Sequence, residues 1–327
     1  MPHFVTFVSF VSFVVKFPSD FHTPSRLTPA TPANDTRTMA TQLRSRFELR
    51  PLKEDFGVEA LGIDIAKPLD PAIAEALVEA FHRHRILVVR GKSLSPQAHI
   101  AFSRIFGELE IHVLNEYHKT DYPEIFELSN IGPDGRPNAV HPDRGTLFWH
   151  TDASWRAIPA LATILYGERV PRTGGHTMFA DMIGAWEALG KADRERFASM
   201  RALHDLNVSR LKAGYPDMTD KQRAEVPPVT HPLVRLHPPT GRSALYLGSH
   251  AQAIAGLPEL ESRGLIERLM NHATEPRFIY EHVWAVGDLV MWDNRATVHR
   301  GTEYDPAVEP RIVRRTVIKG DAPVAAT

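Results

Sequence analysis

The chain has 327 residues, a formal net charge of −1 and no cysteine. Such a length is near the upper size of one hydrophobic core and fits one elaborated domain or two small ones. Hydrophobic residues make up 43% and charged residues 24%, which argues against a disordered or membrane-embedded chain. The lack of cysteine excludes disulfide frameworks, thiolate metal sites and thiol nucleophiles, and the lack of a basic surplus argues against a nucleic-acid partner. Any metal site must therefore use carboxylates and some of the 17 histidines.

The first 38 residues differ in composition from the remainder. A run rich in Val, Phe and Ser over 4–17 is followed by a stretch rich in Pro, Ser and Thr. The run has no basic residue before Lys16, which a secretory signal would need, and it is too short to cross a bilayer. We therefore expect residues 1–38 to be a disordered tail or an over-extended upstream sequence, with Met39 as the true start of a single domain over 39–327. A membrane-touching segment is the less favoured alternative; we expect a cytoplasmic protein with no membrane partner.

The first half of this domain combines short strands with two helices. Hydrophobic periodicity and turn residues predict strands at 47–51, 58–65 and 86–89 and helices at 71–85 and 95–106. Ser95 followed by Pro96 is typical of an N-cap and the first turn of a helix. Residues 131–146 are rich in Gly, Pro and Asp and predict a mobile loop.

The second half returns to strands after a helical and a proline-rich part. The patterns predict helices at 183–206 and 259–273, with a long insertion at 207–242. Predicted strands lie at 162–170, 177–180, 244–247, 279–284, 288–292 and 311–319. Strands at both ends that enclose helices predict a mainly β domain of the double-stranded β-helix (jelly-roll, cupin-like) class, with flanking helices outside.

The segment from Phe148 to Trp155 is the first candidate for a functional site. Interpreted as a strand, it places His150 and Asp152 on one face, since alternate side chains of a strand point the same way. An imidazole and a carboxylate together suit a redox-active first-row metal. Taken alone, the pattern is common by chance, and a solvated histidine beside a strand-end aspartate explains it better.

The C-terminal part adds a third histidine and two arginines. His299 follows a predicted strand, and Arg311 and Arg315 lie on the last one, where they share a face with Val313. Taken alone, paired arginines on an edge strand are typical of a solvated edge that resists aggregation.

In combination, these motifs resemble the Fe(II)- and 2-oxoglutarate-dependent dioxygenases, in particular the branch with taurine dioxygenase and 2,4-dichlorophenoxyacetate dioxygenase. The resemblance covers about 47–323 and rests on His150-x-Asp152, the distal His299 and Arg311 twelve positions later. Supporting motifs are Trp149-His-Thr-Asp152, Gly174-Gly175-His-Thr177, Trp292-Asp-Asn-Arg295, and Phe102-Ser-Arg-x-Phe-Gly107 followed by His112.

The resemblance implies that His150, Asp152 and His299 are the catalytic Fe(II) ligands, and that Arg311 and Thr177 bind the distal carboxylate of 2-oxoglutarate. Two imidazoles and a carboxylate on one face of an octahedron leave three open positions. The oxo acid can fill two of them and O2 the third. The charges of Fe(II), one aspartate and a doubly charged oxo acid sum to −1, so a permanent cation is needed to balance them. An arginine supplies that cation, and its planar guanidinium matches the geometry of a carboxylate.

The resemblance also implies residues for the primary substrate. Arg315 and His112 occupy positions that contact its acidic group in relatives. Asn115 stands where the taurine enzyme has a tyrosine, which argues against taurine as the substrate. A second cation on the strand suits a substrate with a carboxylate, sulfonate or sulfate.

We therefore expect hydroxylation of a small organic acid, coupled to conversion of 2-oxoglutarate to succinate and CO2. Aryloxyalkanoate ether cleavage is favoured because Phe179-Ala-Asp-Met182 and His231-Pro-Leu-Val-Arg235 resemble the aryloxyalkanoate-cleaving members. Cleavage of taurine, another alkylsulfonate or an alkyl sulfate is the alternative within the class. From other classes, a Zn(II) hydrolase with the same triad and a metal-free binding module remain open. We expect a homo-oligomer.

Overall fold

The structure is a computed structural model that describes residues 47–326, except 92, 112–117 and 120. The extension expected at 1–38 and the candidates His112 and Asn115 lie outside the described residues. Among the helices within the described ranges, none combines the length and the apolar character needed to cross a bilayer.

The described strands fall into one large sheet and several small ones. The strands are β1 (Glu48–Pro51), β2 (Val58–Leu61), β3 (Ile86–Val89), β4 (His118–Lys119), β5 (Tyr122–Ser129), β6 (Ala162–Arg169), β7 (Thr177–Asp181), β8 (Arg201–His204), β9 (Val229–Pro232), β10 (Val234–His237), β11 (Arg242–Leu245), β12 (Ala251–Ile254), β13 (Ile279–His282), β14 (Leu289–Asp293), β15 (Thr297–Gly301) and β16 (Ile312–Ile318). The helices are α1 (Pro71–His84), α2 (Pro96–Ser103), α3 (Met182–Glu187), α4 (Lys191–Phe197), α5 (Leu206–Lys212), α6 (Asp220–Glu225) and α7 (Glu259–Ala273).

The large sheet has the order β1-β2-β3-β14-β6-β16-β5-β4, and β13-β7-β15 form a second sheet. Side chains alternate between the two faces of the large sheet. In β3, Ile86 and Val88 pack with Phe179 of the second sheet, so the two sheets form the two layers of a sandwich. Leu87 and Val89 point the other way, into a cluster with helices α1 and α2. Because both faces are covered, all four residues of β3 are apolar and buried.

Helix α2 begins as the sequence predicts. The Ser95 hydroxyl accepts a hydrogen bond from Ala98 N at 3.1 Å, and Pro96 occupies the first turn. The helix ends at Ser103 rather than at residue 106. Together with the strands, it confirms a mainly β architecture with helices on the outside.

The predicted helix over 183–206 and the insertion over 207–242 are wrong in part. Residues 201–204 form β8, which pairs with β9 and β12, so partners distant in the chain override the local helical pattern. The predicted insertion contains α5, α6, β9 and β10. Local signals were present, because Asp205 caps α5 and Thr219 with Gln222 forms a capping box at α6.

Candidate metal centre and substrate cavity

A short backbone pairing brings two of the three candidate ligands together. His150 and His299 form an isolated antiparallel bridge with hydrogen bonds of 2.9 and 2.7 Å. Their ring centroids are 4.2 Å apart. The predicted strand over Phe148–Trp155 is wrong, because the chain turns directly after this bridge and Ala153 adopts a left-handed conformation with φ 56°. Asp152 therefore reaches the two histidines through a turn and not through strand alternation.

The three side chains converge on one point. One ligand atom from each of His150, Asp152 and His299 lies within 4.8 Å of the others. Nε2 of His150 is 3.9 Å from Asp152 Oδ1, and Nε2 of His299 is 3.8 Å from Asp152 Oδ2. These distances are too long for hydrogen bonds, and the donor set is one that a first-row metal ion prefers. Over the described ranges, no other trio of His, Asp or Glu side chains converges in this way.

The two imidazoles are oriented by different means. Nδ1 of His150 lies 2.8 Å from the Phe148 carbonyl oxygen, which turns Nε2 towards Asp152. In the described structure, Nδ1 of His299 is buried and has no hydrogen-bond partner. Its ring is instead held by packing, with the Trp292 centroid at 4.5 Å and the Phe179 centroid at 6.0 Å. Among the residues that the structure describes, neither nitrogen that faces Asp152 has another hydrogen-bond partner, which fits a site that accepts a cation.

Electrostatics favour the ionisation states that metal ligands need. Burial alone would raise the pKa of Asp152, but His299, Arg315, His150 and a hydrogen bond from Thr163 together hold it well below its usual range. Burial, followed by proximity to His150, lowers the pKa of His299 to about 3. At neutral pH the aspartate is therefore anionic and His299 neutral.

Thr177, the first candidate for binding the oxo acid, is buried at the start of β7 and pairs with Gly301 and His282. Its Oγ1 accepts a hydrogen bond from Trp284 Nε1 at 3.0 Å. Because the indole can only donate, the hydroxyl proton of Thr177 is available to an acceptor in the site. The turn before Thr177 needs glycine, since a Cβ at Gly174 (φ 72°) would collide with the carbonyl oxygen of Glu303.

Arg311, the second oxo-acid candidate, directly precedes β16. Its backbone N donates to Asn130 Oδ1 at 2.7 Å. Burial lowers the pKa of Arg311, and the neighbouring Tyr304 partly opposes this. Among the described residues, no carboxylate lies within ion-pair distance of the Arg311 guanidinium. A partly buried guanidinium without such a partner favours the binding of an anion.

The side chains of Arg314 and Arg315 in β16 point to opposite faces of the sheet, as predicted. Arg315 points to the metal centre, with Nη1 3.9 Å from Asp152 Oδ1 and its guanidinium 4.6 Å from the centre of the Phe126 ring. Arg314 points away and contacts Glu168 and the Tyr166 ring. Arg315 therefore offers a cation directly beside the candidate ligands.

A cavity of about 490 Å³ opens above His150, Asp152 and Arg315. Its walls combine charged residues, such as Glu110, Arg156 and Glu225, with an apolar part formed by Phe126, Leu128, Trp155, Met218, Val226 and Val317. The outer wall comes from α5, α6 and the loop between them, within the region where the sequence predicted a long insertion. Residues that line it include Arg210 and Tyr215, which sequence analysis missed.

Tyr215 joins this outer wall to the loop that precedes the metal centre. The guanidiniums of Arg144 and Arg210 lie 5.3 and 5.2 Å from its ring centre. Its hydroxyl accepts a hydrogen bond from Arg144 N at 3.1 Å. These contacts hold one side of the outer wall, and a buried hydrogen bond from Met218 N to Asn207 Oδ1 at 3.0 Å holds another.

Known proteins resemble this chain in sequence. A sequence model described as "Taurine catabolism dioxygenase TauD, TfdA family" matches residues 48–317. The chain is 37% identical over 276 residues to the alpha-ketoglutarate-dependent 2,4-dichlorophenoxyacetate dioxygenase of Cupriavidus pinatubonensis, a match that spans 82% of this chain and 96% of that protein. It is 31% identical over 288 residues to the alpha-ketoglutarate-dependent sulfate ester dioxygenase of Pseudomonas putida, spanning 85% and 91% of the two chains.

A solved structure shows the same fold. The crystal structure of AAD-2 in complex with Mn(II) and N-oxalylglycine matches with a TM-score of 0.77 at 36% identity, spanning 85% of this chain and all of that one. The likeness confirms the predicted jelly-roll class. Here the large sheet has β1 and β4 as its edges and does not close into a barrel.

Proposed function

The chain belongs to the taurine catabolism dioxygenase TauD, TfdA family, and on that premise we propose that it cleaves the ether bond of an aryloxyalkanoate. The coarser activity follows from the family: the protein is an oxidoreductase that depends on Fe(II), 2-oxoglutarate and O2 and acts on a small organic substrate. The expected resemblance is therefore confirmed, and the choice of substrate is the proposal.

We assign His150, Asp152 and His299 as the ligands of Fe(II). The assignment is supported by their convergence within 4.8 Å and by the two imidazole nitrogens that face the carboxylate. When bound there, Fe(II) supplies the redox chemistry by which O2 and 2-oxoglutarate oxidise a substrate C–H bond, with release of succinate and CO2.

The oxo acid is assigned to Arg311 and Thr177. The guanidinium of Arg311 has no carboxylate partner among the described residues and can form two parallel hydrogen bonds to the distal carboxylate of 2-oxoglutarate. Trp284 occupies one lone pair of Thr177 Oγ1, so the hydroxyl proton can be donated to the same carboxylate. A Zn(II) hydrolase needs neither feature, which disfavours that alternative, and the family match disfavours a metal-free binding module.

The observation that carries the substrate assignment is the position of Arg315 beside Asp152. In an aryloxyacetate the carbon to be oxidised is bonded directly to the carboxylate. A carboxylate held by Arg315, 3.9 Å from Asp152, would therefore place that carbon next to the metal centre. The apolar part of the cavity wall, including Phe126 and Trp155, would receive the aryl ring.

The expected products follow from simple chemistry. Insertion of one oxygen atom into the C–H bond beside the ether oxygen gives a hemiacetal. The hemiacetal loses its aryloxy group with the hydroxyl proton and leaves a phenol and an oxo acid.

Within the same site, cleavage of an alkyl sulfate is the alternative, supported by the sulfate ester dioxygenase among the relatives. The roles of His112 and Asn115, the homo-oligomer and the cytoplasmic location stay predictions.

A screen of succinate release tests the proposal. The protein is supplied with Fe(II), 2-oxoglutarate and, in parallel, aryloxyacetates, aryloxypropionates, alkyl sulfates or taurine, and phenol release is followed for the aryl compounds. We expect substrate-dependent succinate with an equal amount of phenol for an aryloxyalkanoate. Succinate release that responds to alkyl sulfates and not to any aryloxyalkanoate would contradict the assignment. Asp152→Ala serves as the inactive control.

A further inference from the structure

Asp152 is contacted by a side chain that no sequence motif identifies, Thr163 of β6. Thr163 Oγ1 lies 2.6 Å from Asp152 Oδ2 and 3.1 Å from Nδ2 of Asn294. Thr163 and Asn294 are fully buried, so neither bond is open to bulk solvent. Hydrogen bonds in such surroundings are electrostatically stronger than on a surface, and they polarise one another.

The neighbours of Asn294 fix the direction of these bonds. Its Oδ1 lies 3.1 Å from Trp292 Nε1 and 3.2 Å from the backbone N of Asp152. Both neighbours can only donate, so the amide atom that faces them is the oxygen. Nδ2 must then face Thr163 and donate to its hydroxyl. Because that hydroxyl has a single proton, the proton is directed to Asp152.

We propose that Thr163 and Asn294 are positioning residues that set the orientation of Asp152 for metal binding, an inference that rests on the proposed function. The hydroxyl of Thr163 occupies a lone pair of Oδ2 and restricts rotation of the carboxylate. Oδ1 stays directed to His150 and Arg315, at 3.9 Å from each. The carboxylate is therefore ordered before the metal ion arrives.

Asn294 also joins the two segments that carry the ligands. Thr151, between His150 and Asp152, donates through Oγ1 to the backbone oxygen of Asn294 at 2.8 Å. Asn294 lies in the connection between β14 and β15, and β15 carries His299. Through its backbone oxygen and its buried side chain, Asn294 thus fixes the turn with two ligands relative to the strand with the third.

Binding of Mn(II), without 2-oxoglutarate, tests the inference. The free ion is measured by its electron paramagnetic resonance signal. Thr163→Val keeps the shape of the side chain and removes the donor, and we expect Mn(II) affinity to fall roughly 10- to 100-fold, the usual effect of losing a hydrogen-bond partner of a metal ligand. Thr163→Ser keeps the hydroxyl and should bind Mn(II) within about threefold of the wild type.

Thr316→Val is the matched control. Thr316 is a buried threonine of β16 that bonds to Ser103 Oγ at 2.7 Å and does not contact Asp152. The Thr316→Val substitution should lower the melting temperature as much as Thr163→Val does and should leave the Mn(II) affinity unchanged. Wild-type Mn(II) affinity in Thr163→Val would overturn the positioning role. If that variant does not fold, Thr163→Ala carries the same expectation and the same overturning result.

The inference and the proposed function fail in distinguishable ways. A wild-type protein that binds no Mn(II) would overturn the metal centre, and the positioning role with it. If the wild type binds Mn(II) and Thr163→Val binds it with equal affinity, only the positioning role is overturned. With Fe(II) saturating, Thr163→Val should also show an unchanged KM for 2-oxoglutarate, because its defect lies in holding the metal ion.

Discussion

The two ends of the cavity are built in different ways. At the inner end, the candidate ligands are held by hydrogen bonds among buried groups, such as Thr163 and Asn294. At the outer end, α5 and α6 are short helices with two buried residues and none, respectively, and Tyr215 lies beside two arginines. The chemistry needs ligands fixed within fractions of an ångström, whereas a wall that only shapes the space for a substrate can vary. We therefore expect changes at the inner end to affect the binding of the cofactor, the co-substrate or the acidic group of the substrate, and changes at the outer end to affect only the choice among substrates.

Arg311 should give the largest effect among three substitutions that sharpen this comparison. Arg311→Ala removes the guanidinium, whose hydrogen bonds to a carboxylate contribute about 1.5–3 kcal/mol to binding. The substitution should therefore raise the KM for 2-oxoglutarate roughly 10- to 100-fold. Arg311→Lys keeps the charge without the planar fork and should lie between the wild type and Arg311→Ala. Steady-state succinate release measures the KM, and Mn(II) affinity should be unchanged. An unchanged KM in Arg311→Ala would remove Arg311 from the oxo-acid site.

Arg315 should show a smaller effect, confined to the primary substrate. Arg315→Gln keeps hydrogen-bond donors and removes the charge, so the KM for an aryloxyacetate should rise about tenfold, the equivalent of 1.4 kcal/mol. Succinate formed slowly without primary substrate should continue at the wild-type rate. A rise in the KM for 2-oxoglutarate, with no change for the aryloxyacetate, would mean that Arg315 binds the oxo acid instead.

The outer wall should show the smallest effect. Tyr215→Phe keeps the ring between Arg144 and Arg210 and removes a partly exposed hydroxyl, which contributes about 1 kcal/mol or less. We expect the ratio of kcat/KM between a small and a large aryloxyalkanoate to change by about threefold, with Mn(II) affinity and the KM for 2-oxoglutarate unchanged. Loss of Mn(II) binding in this variant would show that the two ends are not independent.

The sequence predicted the inner end far better than the outer end. His150, Asp152 and His299 were predicted as ligands through family resemblance, and the structure brings them together, although the local geometry was wrong, because a turn at Ala153 replaces the predicted strand. That turn depends on the bridge to His299, a contact between segments about 150 residues apart that local patterns cannot show. The two longest helices, α1 and α7, and the strands β6 and β16 were predicted well, since their hydrophobic periodicity is sustained, whereas the eight-residue strand β5 was not predicted.

The helices and the strand near the outer end of the cavity were not predicted because they are short. Helices α5 and α6 have seven and six residues, too few for a clear hydrophobic period. Strand β8 forms only because β9 and β12 pair with it. Thr163 was missed for another reason: a buried threonine in a strand is ordinary, and only its distance to Asp152 reveals a role.

An anaerobic titration with Fe(II) followed by 2-oxoglutarate tests the central claim most directly, namely that His150, Asp152 and His299 hold an iron that binds the oxo acid. We predict a weak visible charge-transfer band that saturates with 2-oxoglutarate in the wild type and is absent in Asp152→Ala. A featureless wild-type titration, or an equal band in Asp152→Ala, would contradict the account.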